Sequence, residues 1–208
     1  MSSTIKSNRI KGIMFIIASA LGFAMMSAFV KLAGDLPSFQ KVFFRNLVSA
    51  IIAFWLIIKH KGSLTGKKEN LKVLLYRSIF GTLGVIFNYY AIDKLMLSDA
   101  NMLNKMSPFL VVIFCAIALK EKINVKQIGA IIIAFIGALF IIKPTFSVEV
   151  IPYLGGIAGA VFAAMAYTCL RVLGDREDYY TIVFFFSVFS LVTVGPIAFA
   201  VYEPMTLM

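Results

Sequence analysis

Long apolar runs constrain this sequence more than any other feature. Seven runs follow one another along the 208 residues, each close to the roughly 20 residues that a helix needs to cross about 30 Å of hydrocarbon. Charged residues make up only 14% of the chain, against about a quarter in a soluble domain. The runs do not alternate apolar and polar residues, so they predict an all-α integral membrane protein rather than a barrel. The runs cover residues 12–30, 42–58, 71–92, 100–119, 127–142, 152–170 and 179–202.

The charge and motif content excludes several classes of protein. The net charge of +10 resides mainly in short loops between the apolar runs, so it does not indicate nucleic-acid binding. The one histidine, His60, lies in a loop, and phosphate-binding glycine loops and nucleophile elbows are missing. We therefore expect no enzyme activity, no metal site and no cofactor. The first run is longer than the apolar part of a signal peptide, so we expect it to remain as a first span.

Lysine and arginine are distributed unequally between the two sides of the predicted membrane. Fourteen fall on the side of the N-terminus and six on the other, whereas acidic residues divide five and five. Cytoplasmic loops carry the excess of basic residues. The sequence thus predicts a multi-pass protein of the plasma (inner) membrane, with its N-terminus in the cytoplasm and, after seven spans, its C-terminus outside.

An internal repeat links the first and sixth runs. A shift of 140 residues superimposes six identities within positions 18–35. The shift spans five helices, and an odd offset inverts the second copy in the membrane. Inverted repeats of this kind are typical of secondary transporters.

An ordered set of motifs resembles the EamA-type domain of the drug/metabolite transporter superfamily, most clearly over 71–144. Members have a proline within span four, a glutamate just after it, and glycines and a proline around span five. The matching residues here are Arg77, Tyr90-Ala91-Ile92, Leu97, Ser98-Asp99-Ala100, Pro108, Leu119-Lys120-Glu121, Gln127-Ile128-Gly129, Gly137 and Lys143-Pro144, with Arg45 early in span two.

This resemblance implies ten helices in two inverted five-helix repeats that export or import small metabolites by alternating access. We expect residues 1–144 to form the first repeat and residues 152–208 to begin the second, which stops after helix seven. The expected partners are a small-molecule solute and the lipid bilayer. The alternative is a truncated, non-transporting protein that acts as a scaffold or requires a second copy or a complementing chain. A retinal protein is disfavoured, because the last run has no lysine for a Schiff base.

Polar residues inside the runs identify a candidate substrate site. Arg45 and Lys105 each lie one to two helical turns inside a span. Either they snorkel to the outer headgroups, or they line a path for a carboxylate or phosphate. Asn101, Asn104, Lys105 and Pro108 share one helical face, and Pro108 permits a kink. The asparagines of this stripe either contact substrate or bond to neighbouring helices.

Span three carries a similar stripe of Arg77, Gly81, Gly84 and Asn88. We expect its glycines, and the Gly155-x-x-x-Gly159 pattern of span six, to permit close helix packing, and Arg77 to anchor the cytoplasmic edge. No acidic residue lies deep in a run, so proton coupling is not supported. The path is predicted between spans one, two, three, four and six. Its substrate-binding candidates are Arg45, Asn88, Asn101, Asn104, Lys105, Ser19 and Gly22.

Overall fold

The computed structural model describes residues 2–34, 36–119, 124–142 and 150–204, and every regular element among them is helical. This confirms the all-α prediction. Two 3₁₀ turns, Lys68–Asn70 and Gly174–Arg176, precede α3 and follow α7. The α-helices of the described residues are α1 (Ser2–Leu32), α2 (Ser38–His60), α3 (Leu71–Lys94), α4 (Leu97–Asn104), α5 (Ser107–Leu119), α6 (Val125–Ile142), α7 (Val150–Leu173) and α8 (Tyr179–Ala200).

Six segments of the described chain are long and apolar enough to cross a membrane. They correspond to six of the seven predicted spans, with α4 and α5 together forming the fourth. The fifth predicted run forms α6, a helix of 18 residues, which is not among the six, so the count of seven stays a prediction. The six segments are Gly12–Leu32, Ser38–His60, Lys68–Lys94, Leu97–Leu119, Val150–Leu173 and Tyr179–Ala200.

Polar contacts at one end of the bundle join the start of α2 to the ends of α3 and α8. Ser38 Oγ donates to Asp93 Oδ2 at 2.6 Å. Gln40 Nε2 donates to the carbonyl of Glu203 at 3.0 Å, and the Glu203 N–H donates back to Gln40 Oε1 at 3.1 Å. We call this end the Asp93 end. The contacts show that α2 runs antiparallel to both α3 and α8.

The opposite end, which we call the Glu177 end, joins the close of α7 to the start of α3. Glu177 Oε1 accepts hydrogen bonds from the backbone N–H of Lys67 at 2.7 Å and from Asn70 Nδ2 at 2.8 Å. Thr181 Oγ1, at the start of α8, donates to the carbonyl of Ser63 at 2.7 Å. These bonds satisfy backbone groups at helix ends that no helical partner reaches.

Helices α1 and α7 run in opposite directions. Lys31 Nζ, near the end of α1, donates to the carbonyls of Ile92 at 2.8 Å and Leu95 at 2.9 Å, at the Asp93 end. Helix α7 begins at that end, because Tyr153 Oη donates to Asp99 Oδ2 at 3.1 Å. An inverted repeat requires this antiparallel relation. However, in any bundle whose successive helices alternate in direction, two helices that are an odd number of positions apart are also antiparallel. The division into repeats at 1–144 and 152–208 stays a prediction.

Close packing of α3 on α7 depends on glycine. A Cβ added to Gly84 would lie 3.0 Å from the backbone nitrogen of Ala163, and one added to Gly159 would lie 3.0 Å from that of Asn88. Backbones approach this closely only where side chains are absent. Gly155 likewise accommodates the ring of Tyr90. The prediction that these glycines permit close packing is confirmed.

Two hydrophobic clusters lie at opposite ends of the bundle. The larger, at the Asp93 end, includes Val42, Tyr89, Ile92 and Val194. The smaller, at the Glu177 end, is built on Leu74, Leu173 and Ile182. The stretch of α2, α3 and α8 between them is where the buried polar groups are concentrated.

The fourth predicted span is broken rather than continuous. Helix α4 ends at Asn104 and α5 begins at Ser107. Pro108 has no N–H to donate to the carbonyl of Asn104, and its ring clashes with a helical carbonyl at that position. The Met106 N–H bonds instead to Leu103 at 3.1 Å in a tighter turn. The kink predicted at Pro108 is therefore confirmed, and it takes the form of a break.

From residue 12 onward, the side chains of helix α1 that pack are those near its C-terminal end. Residues 12–25 are all exposed, whereas Ser27 and Val30 are buried. Met26 packs against the larger hydrophobic cluster. The earlier turns of α1 thus contribute little to the interior of the described bundle.

Candidate functional site

A buried ion pair at the Asp93 end fixes the position of α2 against α3. Lys41 Nζ lies 2.6 Å from Asp93 Oδ1 and also donates to the carbonyl of Gly34 at 2.8 Å. The side chains of Lys41 and Asp93 are only 5% and 16% exposed. Because Ser38 occupies the other carboxylate oxygen, Asp93 is engaged by two partners. We call Lys41, Asp93 and Ser38 the latch.

Arg45 follows Lys41 by one helical turn and faces the same side of α2. It lies seven residues after Ser38, so its Cα is about 10 Å further into the bundle than the latch. The side chain is half-buried, and Nη1 is buried without a hydrogen-bond partner. Arg45 thus places an unsatisfied charged donor in the interior.

Arg77 enters the same region from α3. Its Cα is sixteen residues before Asp93, about 24 Å from the latch level. The guanidinium packs over the ring of Phe186, with Cζ 4.6 Å from the ring centroid. Nε and Nη1 are both buried without partners. The expectation that Arg77 anchors the cytoplasmic edge is wrong, because the side chain turns along α3 toward Gly81 instead of toward the headgroups.

Gly81 provides the space that Arg77 occupies. A Cβ at residue 81 would collide with Nη1 of Arg77 and would lie 2.9 Å from the ring of Phe186. The spacing of Arg77 and Gly81 places both on one helical face. In the stripe predicted on span three, the space left by Gly81 therefore accommodates the buried guanidinium of Arg77.

Further unsatisfied polar atoms lie on the two helices that carry the arginines and on α8. Asn46 Nδ2 donates to Ser190 Oγ at 3.0 Å, but Asn46 Oδ1 is buried and unbonded, as are Thr82 Oγ1 and Ser187 Oγ. Almost all buried polar atoms in proteins find a partner, so a concentration of such atoms in α2, α3 and α8 marks a site. We define the polar core as Arg45, Asn46, Arg77, Thr82 and Ser187.

The polar core carries positive charge without a protein counter-ion among the described side chains. Arg45 and Arg77 are close enough to interact electrostatically. Asp93 is held by the latch. The other acidic side chains that the structure describes lie at helix ends or in connections: Glu69, Asp99, Glu177, Asp178 and Glu203. A buried charge that lacks a partner is expensive, so this arrangement favours an anionic ligand.

The seven residues predicted from the sequence are only partly brought together. Arg45 and Asn88 are half-buried on α2 and α3, and Asn101 and Asn104 are half-buried on α4. Lys105 is exposed at the break between α4 and α5. Ser19 and Gly22 are exposed on α1, and a Cβ added to Gly22 would meet nothing within 4 Å. The structure therefore does not place Ser19 and Gly22 beside Arg45.

A cavity of 1110 Å³ opens at the Asp93 end between α2, α3, α7 and α8. Its walls are mainly apolar and aromatic, and none of the seven predicted residues lines it. The path predicted between spans one, two, three, four and six shares α2, α3 and α7 with this cavity, but the cavity has the end of α8 in place of α1 and α4. Representative lining residues are Phe39, Phe87, Tyr90, Leu154, Tyr202 and Glu203.

Sequence reasoning missed four members of the polar core: Asn46, Arg77, Thr82 and Ser187. The signal for Arg77 was present, because it begins a stripe with Gly81, Gly84 and Asn88. Asn46, Thr82 and Ser187 are single polar residues in apolar runs, and such residues commonly bond to a neighbouring carbonyl. Only the structure shows that their free atoms are buried without partners on the packed helices α2, α3 and α8.

The fold and the polar core define the class of protein: a polytopic helical membrane protein with a cationic interior. The chain belongs to the EamA-like transporter family, whose model matches residues 10–143. This confirms the resemblance seen in the sequence, and it places the chain in a family of transporters rather than of enzymes.

Relatives of this chain are named as transporters. It is 33% identical over 186 residues to the pseudopaline exporter CntI of Pseudomonas aeruginosa PAO1, covering 88% of this chain and 65% of the exporter. It is 27% identical to an uncharacterized transporter of Helicobacter pylori J99, covering 85% and 60% respectively. It is also 27% identical to human solute carrier family 35 member G1, covering 87% and 53%. The chain thus spans about half to two thirds of these relatives. No solved structure matches the chain.

Proposed function

We propose that this chain is the transporting part of a carrier that moves small carboxylate-bearing metabolites across the plasma membrane by alternating access. Its N-terminus lies in the cytoplasm, which places the Asp93 end outside. The observation that carries the proposal is the buried, unpartnered Nη1 of Arg45. A guanidinium offers a carboxylate two parallel hydrogen bonds, so a solute carboxylate satisfies the group that the protein leaves open.

The broken fourth span supports this proposal. Discontinuous membrane helices leave backbone groups free, and transporters use such breaks at their binding sites. Here Lys105 is exposed at the break, and Pro108 has no N–H to donate to the carbonyl of Asn104. We propose that Asn88, Asn101, Asn104 and Lys105 line the path beside Arg45.

Helix α1 is the mobile wall in this proposal. Ser19 and Gly22 reach the path only when α1 closes over it. The exposure of residues 12–25 supports such freedom. The name of the Pseudomonas relative, an exporter, supports outward movement of the solute.

A flux assay tests the proposed function. The chain is reconstituted in lipid vesicles, and efflux of a panel of labelled anionic, neutral and cationic metabolites is compared with empty vesicles. We expect the carboxylates to be transported and Arg45→Ala to abolish their flux. Lys105→Met should reduce the flux of anionic solutes more than that of cationic ones. Arg176→Ala, an exposed arginine in a connection, is the matched control. If Arg45→Ala and Lys105→Met both insert normally and leave flux and preference unchanged, both residues are edge anchors and the proposal is wrong.

A second candidate is a chain that works only with a complementing chain or a second copy. The exposed length of α1 favours it, because the other long helix of the proposed repeat pair, α7, is packed along its length against α3. This candidate predicts no flux from the chain alone and restored flux when the last three helices of a ten-helix relative are co-reconstituted with it. Flux from the purified, monomeric chain contradicts it.

A further inference from the structure

We infer that Arg77 is a second substrate-binding residue, and that the polar core takes a solute with two separate carboxylates, one held by Arg45 and the other by Arg77. The inference rests on the proposed function and specifies its substrate class. It starts from three buried guanidinium nitrogens without partners: one on Arg45 and two on Arg77.

The burial of two positive charges argues for more than one negative charge on the ligand. A single carboxylate at Arg45 leaves Nε and Nη1 of Arg77 unsatisfied and the second charge unneutralised. Breaking a buried ionic interaction by removing one partner is strongly destabilising, so a solute that satisfies only half of the site binds poorly. A solute with two anionic groups satisfies both.

The heights of the two arginines argue for two separated groups. The latch sets Ser38 and Asp93 at one level. From that level the Cα atoms of Arg45 and Arg77 lie about 10 Å and 24 Å into the bundle, so the two residues differ in depth by about 14 Å. The side chain of Arg77 turns toward Gly81, and therefore toward the level of Arg45. A ligand that lies between these two levels can therefore bind one arginine at each of its ends.

The surroundings of Arg77 fit a binding role better than a structural one. Its guanidinium stacks on the face of Phe186, and Nε and Nη1 make no hydrogen bond to the protein. Arginine stacked on an aromatic ring retains its in-plane donors for a carboxylate. Thr82 Oγ1 and Ser187 Oγ supply further donors nearby in α3 and α8.

The test is equilibrium binding to the 208-residue chain in lipid nanodiscs. The probes are the unbranched dicarboxylates from malonate to pimelate and the monomethyl ester of each, which keeps the length and removes one charge. We expect one length to bind best, and to bind about 10- to 100-fold tighter than its ester, as one hydrogen-bonded charge pair is worth. Arg77→Gln should remove this preference and leave ester binding unchanged. Arg45→Gln should weaken both probes, and Arg176→Gln should change neither.

The outcomes separate this inference from the proposed function. If Arg77→Gln keeps the preference for the diacid while Arg45→Gln weakens both probes, Arg77 is not a binding residue and the proposed function stands. If no carboxylate binds, both are wrong. Inorganic phosphate that competes as well as the best diacid overturns the assignment of two separate groups. Should Arg77→Gln fail to fold, the same measurement is made on Arg77→Lys. A weakened preference for the diacid over its ester supports the inference, and a preference equal to that of the wild type contradicts it.

Discussion

At the scale of single residues, the most informative groups are charged side chains. The sequence predicted how deep in its apolar run each one lies, but not in which direction the side chain points. Arg45 and Arg77 both lie inside apolar runs, and both could have snorkelled to headgroups. Their unpartnered nitrogens in the polar core show that they turn inward. Lys41 and Asp93, for which no contact was predicted, form the buried latch. Side-chain direction depends on which helix lies opposite, and a single sequence does not specify that.

Unsatisfied charge should make the ligand-free polar core a source of instability. Replacing buried ionic groups with apolar ones of similar volume often stabilises a protein by about 1–4 kcal/mol. We therefore expect Arg77→Met to raise the thermal unfolding temperature of the ligand-free chain in detergent, while Arg176→Met leaves it unchanged. A lower unfolding temperature for Arg77→Met would show that the guanidinium is structurally satisfied.

The latch should behave as a coupled pair. Lys41→Met leaves the carboxylate of Asp93 largely buried with Ser38 as its remaining side-chain partner, which we expect to cost about 2–4 kcal/mol, somewhat below a fully buried pair. The double variant Lys41→Met/Asp93→Leu should cost less than the two single variants added together. Unfolding free energies of the four proteins measure this, with exposed Lys94→Met as the control. Strictly additive losses would mean that the two side chains do not interact.

At the scale of helices, the sequence predicts where a helix occurs better than whether that helix is continuous. Most predicted boundaries fall within a few residues of those observed, because a run of apolar residues long enough to cross a bilayer has few other ways to satisfy its backbone. The proline in span four was recognised as a kink, yet the structure separates α4 from α5. Whether a proline bends or breaks a helix depends on neighbouring contacts, here those of α4 and α5 with α7.

The glycine contact between α3 and α7 provides a test at this scale. Gly159→Leu would push its side chain into the backbone of α3 near Asn88, so we expect a clear loss of stability, of the order of the 1–3 kcal/mol typical of overpacking. Gly129→Leu in α6, where an added Cβ meets nothing within 4 Å, should be nearly neutral. Thermal unfolding of both variants decides it, and equal effects would argue that the close approach is not needed.

At the scale of the whole molecule, the sequence predicted the all-α class and the transporter family, and it predicted part of the candidate site. Arg45 came from its depth in an apolar run. The other core groups came together only through the pairing of α2 with α8 and of α3 with α7, which are distant in sequence. The predicted contribution of α1 to the path rested on Ser19 and Gly22, and both are exposed because only the last turns of that helix pack.

Orientation in the membrane is a property of the whole molecule, and the distribution of basic residues predicts it. A reporter that fluoresces only in the cytoplasm should be bright when fused after Asn70, at the Glu177 end, and dark when fused after Leu95, at the Asp93 end. Whole-cell fluorescence, normalised to the amount of fusion protein, makes the comparison. The reversed pattern would place the N-terminus outside and invert the proposed direction of the path.

We propose that the guanidinium of Arg45 holds the carboxylate of a transported solute by donating two parallel hydrogen bonds to it. The most direct measurement compares the dissociation constants of one labelled carboxylate for the wild-type chain, Arg45→Lys and Arg45→Ala in the same nanodiscs. Lysine keeps the charge but lacks the paired, planar N–H donors of the guanidinium. We therefore expect binding to be about tenfold weaker for Arg45→Lys and weaker again for Arg45→Ala. Dissociation constants that are the same for all three proteins would contradict it.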